Sequence, residues 1–228
     1  MGLPAESLPL RPEPSFDFEA ELMSQYSGPV AGIDEAGRGP CAGPVVVAAV
    51  ILNPDCIPEG LNDSKLLTPA AREDRYAEIV ATSIVSVVIG QVRRIDRDNI
   101  LQASLWGMRA AYRGLGLPAG SALIDGNIIP RRFTCPARAV VGGDGLSLSV
   151  AAASIVAKVT RDRMMVKLAR RYRRYGWENN KGYGTREHAL AIEEHGVCTH
   201  HRRSFAPVDR ALRLLDTGAV EPTAPHED

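Results

Sequence analysis

The sequence predicts an α/β fold, a mixed sheet of about five strands flanked by helices with a helical carboxyl-terminal portion. Three observations carry that expectation. Short apolar runs, several of them rich in β-branched residues, recur at 30–34, 43–52, 84–91, 122–124 and 137–141. Stretches with helical periodicity lie between and after them. Asp34, Asp125 and Asp144 each stand at, or just past, the end of an apolar run, where ligands gather in sheets of this kind.

Taken in order, residues 1–28 read as a flexible tail, with Pro4, Pro9, Pro12 and Pro14 among small and acidic residues and a short helix near 16–26. Residues 29–215 form the folded domain, and 216–228 read as a second flexible tail. The runs 30–34 and 43–52 are joined by a tight Gly/Pro turn, which predicts an antiparallel pair. Thr68-Pro69 predicts an N-cap followed by proline in the first helical turn, opening a helix to about 81. A third strand follows at 84–91. A long helix is expected from about 97, with Leu101, Leu105, Met108, Tyr112 and Leu115 along one face. Two short strands then end at Asp125 and near Asp144. Helices are expected over 149–175, 185–195 and 207–215.

The 228 residues suffice for one sizeable domain. Lys and Arg number 27 and so do Asp and Glu, so no global field advertises a polyanionic partner, although local asymmetry is open. Cys41, Cys56, Cys135 and Cys198 are scattered without a Cys-x-x-Cys pair, which argues against a zinc knuckle or redox motif. No stretch approaches the roughly 18 apolar residues of a membrane span, and the amino terminus lacks a signal-peptide pattern. A cytoplasmic monomer is the expectation.

The chemistry centres on Asp34-Glu35 in Val30-Ala31-Gly32-Ile33-Asp34-Glu35-Ala36-Gly37-Arg38-Gly39-Pro40. Two adjacent carboxylates at the end of a buried strand repel each other and lose hydration. A divalent cation relieves that, and a set of hard oxygen ligands suits Mg²⁺ or Mn²⁺. Asp125 and Asp144 join the pair if their strands are neighbours. Two ions about 3.5–4 Å apart would then neutralise the acids and clamp a phosphate. Each of Asp125, in Asp-Gly-Asn, and Asp144, in Gly-Gly-Asp-Gly, also fits an ordinary turn.

Around the acids lie candidate substrate contacts. Gly37 and Gly39 would let a backbone approach a ligand, and Arg38 offers bidentate donors to a phosphate. A backbone that donates and accepts can read a ribose 2′-hydroxyl. Lys65 follows Asp63-Ser64 in a polar loop, and Lys181 precedes Gly182-Tyr183-Gly184, whose glycines would expose the Tyr183 ring for stacking. Arg163, Lys167, Arg170 and Arg174 fall on one helical stripe with no acid to balance them, opposite Met165, Leu168, Tyr172 and Tyr175. That stripe could follow a phosphate backbone. His200-His201 lack partners at zinc spacing and read as a packed or surface pair.

Assembled, the chain resembles ribonuclease HII, the bacterial type 2 ribonuclease H. The matching segments begin with 32–40, Leu61-Asn62-Asp63-Ser64-Lys65 and Leu123-Ile124-Asp125-Gly126-Asn127. They continue with 152–162, Lys181-Gly182-Tyr183-Gly184-Thr185 and His201-Arg202-Arg203-Ser204-Phe205. The resemblance implies a ribonuclease H-like fold and an endonuclease acting on RNA–DNA hybrids and on single ribonucleotides in duplex DNA, leaving 5′-phosphate and 3′-hydroxyl ends. It implies that Asp34, Glu35, Asp125 and Asp144 are the catalytic, metal-binding acids. It makes Gly37, Arg38 and Gly39 the reader of the 2′-hydroxyl and Tyr183 the platform for the next sugar. Two departures stand out. Gly142 replaces a common lysine, which leaves Asp162 as an alternative fourth acid, and Asn180 replaces a common histidine. A Holliday-junction or integrase-like nuclease, and a hybrid-binding module without catalysis, are the competing readings.

Overall fold

The structure, a computed structural model, describes residues 13–117 and 119–216, with side chains of the last helix described to Arg213. Its centre is one five-stranded sheet in the order β3-β2-β1-β4-β5. β1 (Val30–Ala36), β2 (Val45–Ile51) and β3 (Ile84–Gly90) run antiparallel in sequence. β4 (Ser121–Asp125) pairs parallel with β1, and β5 (Ala137–Val140) parallel with β4. The mixed sheet is therefore as the sequence predicts, including the antiparallel pair across the Gly/Pro turn. β2 is buried along its whole length, as its unbroken apolar run Val-Val-Val-Ala-Ala-Val-Ile requires.

Helices cover both faces. On one, α5 (Leu148–Arg171) and α2 (Pro69–Thr82), the latter with Ile79, pack over Ala48 and Val50. On the other, α4 (Ile100–Gly114) packs Met108 and Ala111 against Ile33, Val47 and Ile124. α5 sits hard on β1. A Cβ on Gly32 would stand 2.1 Å from the carbonyl carbon of Ser149, so only glycine admits this approach. α2 begins where the Thr68-Pro69 signal puts it, and the Thr68 hydroxyl accepts from the Ala71 amide at 3.2 Å.

Three expectations need correction. The helix expected from about 97 is α4, which begins at Ile100, and a separate helix that was not expected, α3 (Val92–Asp98), precedes it. Asn99 stands between them at φ 66° and caps α4 by accepting from the Gln102 amide. The helix expected over 149–175 stops at Arg171. A 3₁₀ turn at Arg173–Tyr175 and the short α6 (Trp177–Asn180) follow, before α7 (Arg186–His195) and α8 (Ala206–Asp216). Finally, the short helix expected near 16–26 is present as α1 (Asp17–Gln25), but it is docked on the domain rather than part of a free tail. Leu22 enters the core beside Val30 and Leu123, and buried Glu19 accepts from Ser147 Oγ, Ser149 Oγ and the Ser149 amide. Residues 1–12 and 217–228, the outer parts of both expected tails, lie outside the described residues.

Candidate active site

Strand register gathers the acids. Ile33 faces Ile124 across the parallel pair, so Asp34 and Asp125 are neighbours at the carboxyl ends of β1 and β4. Asp125 pairs with Val140 on β5, and Asp144 lies just beyond in a 3₁₀ turn, Gly143–Gly145. Past Ile33, β1 has no β4 partner. That open edge lets Asp34 and Glu35 reach one cleft although strand residues alternate faces. The cleft, about 500 Å³, is lined by Asp34, Glu35, Gly37, Arg38, Gly39, Lys65, Asp125 and Tyr183 among others.

The charges there are under strain. Burial, then Glu35 and Asp125, push the Asp34 carboxyl well above the usual carboxylate range. Burial also raises Glu35, with Arg38 opposing and Asp125 adding. Asp144 is raised by burial and by Asp63 and Asp125, against the pull of Lys65. Protein donors hold one oxygen of each acid. Asp34 Oδ1 accepts from the Glu35 amide at 2.6 Å, Glu35 Oε1 from Arg38 at 3.2 Å, Asp125 Oδ1 from the Gly143 amide at 2.8 Å and Asp144 Oδ2 from Lys65 at 3.3 Å. Glu35 Oε2 is buried with no partner. Hard oxygens that repel one another, one of them orphaned, fit a divalent cation. As they stand, no three Asp, Glu, His or Cys side chains among the described residues enclose an ion site.

The other wall is the turn after β1. Gly37 sits at φ +95°, and a Cβ there would fall 2.0 Å from Arg161 Nε. Arg38 and Gly39 are exposed, and the Tyr183 ring lies over Gly39, 3.4 Å from where a Cβ would be. Lys65 reaches Asp63 and Asp144, which hold its charge above the usual range despite burial. Lys181 is not in this cleft. Its carbonyl accepts from Arg161, its ammonium donates to the Glu178 carbonyl, and its side chain faces the neighbouring groove. Asp162 is ion-paired with Lys158 at 2.8 Å and Arg72 at 3.6 Å, and it is Asp144 that couples to Asp34. Arg163, expected to be unbalanced, is held by Glu73. His201 is fully buried against His188 (Nε2–Nε2 3.1 Å), and His200 packs edge-on against Tyr172.

Sequence reasoning missed Ser64, Arg72, Ser154, Lys158 and Arg161 on the cleft wall. The signal was there for three of them. Ser154, Lys158 and Arg161 fall at i, i+4 and i+7, on one side of α5.

A family model described as ribonuclease HII matches residues 31–208. The chain belongs to the ribonuclease HII family. The ribonuclease HII of Xanthobacter autotrophicus is 55% identical over 193 residues, 85% of this chain and 77% of that one. That of Rhizobium meliloti is 55% identical over 196 residues, covering 86% and 91%. The crystal structure of ribonuclease H2 from Pyrococcus horikoshii superposes with TM-score 0.72 at 26% identity, over 82% of this chain and 98% of the other. An Archaeoglobus fulgidus ribonuclease HII, solved in complex with PCNA, gives 0.69 at 26%, over 80% and 96%. As a ribonuclease HII family member, the chain is a type 2 ribonuclease H, an endonuclease acting on the RNA strand of RNA–DNA hybrids. Among the described residues, no helix is long and apolar enough to cross a membrane.

Proposed function

We propose that Asp34, Glu35, Asp125 and Asp144 hold divalent ions, Mg²⁺ or Mn²⁺, and that the enzyme cuts beside ribonucleotides, including single ones embedded in duplex DNA. The observation that carries this reading is the crowding of mutually repelling carboxylates against a glycine-bounded turn. Such ions, when bound, lower the pKa of a water and stabilise the departing 3′-oxygen. The chain supplies the rest. Asp34 and Glu35 are fixed by β1, and Asp125 by the Gly143 amide. Asp144 is kept near the others by Lys65, whose ammonium stands in the cleft as a donor for a phosphate. Arg38 and Gly39 face the sugar–phosphate chain, and Tyr183 offers its half-exposed ring to the adjoining sugar.

The test is cleavage of a duplex with one embedded ribonucleotide, with Mg²⁺ and with chelator. Wild type should cut only with metal and leave 5′-phosphate and 3′-hydroxyl ends. Asp34→Asn should be inactive, and near-wild-type cleavage by it would end the reading. The reading also takes the enzyme as a cytoplasmic monomer, the second part of which sedimentation at assay concentration checks.

A further inference from the structure

Arg161 on α5 and Arg202 ahead of α8 are among the largest fully buried side chains, 1% and 0% exposed. Neither meets a carboxylate. Arg161 donates to the carbonyls of Ala42 at 3.1 Å, Pro44 at 2.9 Å and Lys181 at 3.0 Å. Arg202 donates to those of Gly37 at 2.6 Å, Arg38 at 3.1 Å, Gly43 at 2.9 Å and Pro44 at 3.1 Å. Burial first, then the neighbouring Arg161, pushes Arg202 down to about 9. Two like charges buried side by side without a counter-ion are costly, and what they gain is to satisfy six backbone carbonyls that an apolar pair would leave without donors. The arrangement therefore does something beyond filling space.

Peptide geometry shows what. A trans peptide is planar, with its N–H opposed to its C=O, and the structure has no cis bonds among the described residues. The Gly37 carbonyl, drawn inward to Arg202, turns the Arg38 N–H outward. The Arg38 carbonyl, drawn inward likewise, turns the Gly39 N–H outward. Among the described residues, neither amide has a protein acceptor, and both residues are on the cleft wall. The same clamp sets a distance. Arg161 ties the turn to Lys181, and the amides of Cys41 and Ala42 donate to the Gly182 carbonyl, so the turn and Tyr183 move as one piece.

We propose that Arg202, seconded by Arg161, is a positioning residue for substrate choice: it aims the Arg38 and Gly39 amides, as a pair of donors, at a sugar–phosphate oxygen of the ribonucleotide, and fixes their spacing from Tyr183. The proposal rests on the function proposed above. Arg202 touches no substrate and acts through the turn.

Arg202→Lys keeps the charge but loses the fork that holds Gly37 and Arg38 together. The experiment compares two duplexes that differ only in one embedded ribonucleotide, measuring affinity in chelator and kcat and KM in Mg²⁺. The variant should lose about tenfold of the preference for the ribonucleotide duplex, mostly in KM, while its affinity for the all-DNA duplex stays within about twofold. Retained preference, or equal loss on both duplexes, overturns the proposal. A second measurement does not depend on the variant folding. In ¹⁵N-labelled wild type, the Arg38 and Gly39 amide resonances should shift with the ribonucleotide duplex and not with the all-DNA duplex. If they respond alike to both, the proposal fails. Wild type that leaves the ribonucleotide duplex uncut in Mg²⁺ strikes the proposed function. Wild type that cuts it with those amides unmoved strikes Arg202 alone.

Discussion

The two walls of the cleft handle buried charge in opposite ways. On one, Asp34 and Glu35, and Asp144 behind Lys65, are pushed toward protonation by burial and by neighbouring acids, Asp125 acting on all three, and Glu35 Oε2 is buried without a partner among the described residues. On the other, Arg161 and Arg202 are buried as deeply, yet their guanidinia are spread over carbonyls of 37–44 and 181. The acidic wall stores repulsion that a cation can release. The basic wall is satisfied within the protein and so is rigid before any substrate arrives. A nuclease needs both. The proposed function asks for ions that bind reversibly on the first wall, and for a surface on the second that separates ribose from deoxyribose without bending to fit either.

The sharpest way to break the comparison is Asp34→Asn. A carboxyl whose folded-state pKa is raised weakens the fold as pH climbs from the unfolded value toward the folded one, and fully above it. The neutral isostere removes that penalty at pH 7.5. In chelator, Asp34→Asn should be more stable than wild type on the order of 1 kcal/mol, or about 2–4 °C in Tm, while activity falls about a thousandfold. Calorimetry beside a cleavage assay decides. A lower Tm would mean that the acidic wall is not strained. Added Mg²⁺ should raise the wild-type Tm more than that of the variant.

The basic wall is tested by two glycines. Gly37→Ala meets a positive φ and the Arg161 guanidinium together, and should destabilise by about 1–3 kcal/mol. Gly39→Ala meets only the edge of the Tyr183 ring. Its Tm should stay within about 2 °C, since a surface substitution of this kind is nearly neutral for stability. Cleavage at a lone ribonucleotide should still fall about tenfold, because the methyl fills the space between ring and turn. Equal unfolding of both variants would show that Gly39 also belongs to the scaffold.

Behind Tyr183 a third buried group responds to pH with the opposite sign from the acids. His201 accepts from the Cys198 amide through Nδ1, so its Nε2–H donates to His188 Nε2, which also accepts from Trp177 Nε1. His188 Nδ1–H is left to donate to the Tyr183 carbonyl at 2.9 Å. Both rings are neutral in this chain. Burial, then His188, lowers His201 to about 3, and burial lowers His188. A depressed histidine supports the fold above its unfolded pKa near 6.5 and loses that support as pH falls toward 3, by up to about 1.4 kcal/mol per pH unit for one proton. The raised acids gain over part of the same range. His201→Gln should therefore be less stable at pH 7.5 but lose less on acidification to pH 5, read from urea midpoints. A variant that parallels wild type across that range would remove the histidines from the balance.

The acidic wall was legible in the sequence because each acid ends an apolar run and parallel register does the rest. Asp34 and Asp125 need no long-range information beyond the pairing of their strands. The basic wall was not. Arg161 lies within a long helix and Arg202 within a histidine–arginine cluster, and nothing local distinguishes a guanidinium bound for carbonyls 117 to 165 residues away from one bound for solvent. The short helix α3 was missed because its seven residues bury only Val92 and Ile95, too few to set a helical period. Glu19 escaped although its helix was expected, because its partners Ser147 and Ser149 stand at the start of α5, far along the chain.

The same contrast, satisfied against unsatisfied charge, reappears at lower stakes along the outer groove. Arg163 is held by Glu73 and lies over the Tyr76 ring at 4.4 Å, whereas Lys167 and Arg170 are exposed on the same helix with no acidic partner among the described residues. A cation already neutralised releases no counter-ion when a phosphate arrives, and a free one does. Lys167→Ala and Arg170→Ala should each flatten the salt dependence of duplex binding by about one in slope, with about a twofold loss of affinity at moderate salt, for ribonucleotide and all-DNA duplexes alike. Arg163→Ala should leave the slope as it is. Were Arg163 to matter as much as Lys167, the Glu73 pair would have to open in the complex, and the groove would belong with the acidic wall, as charge that is released when its ligand binds.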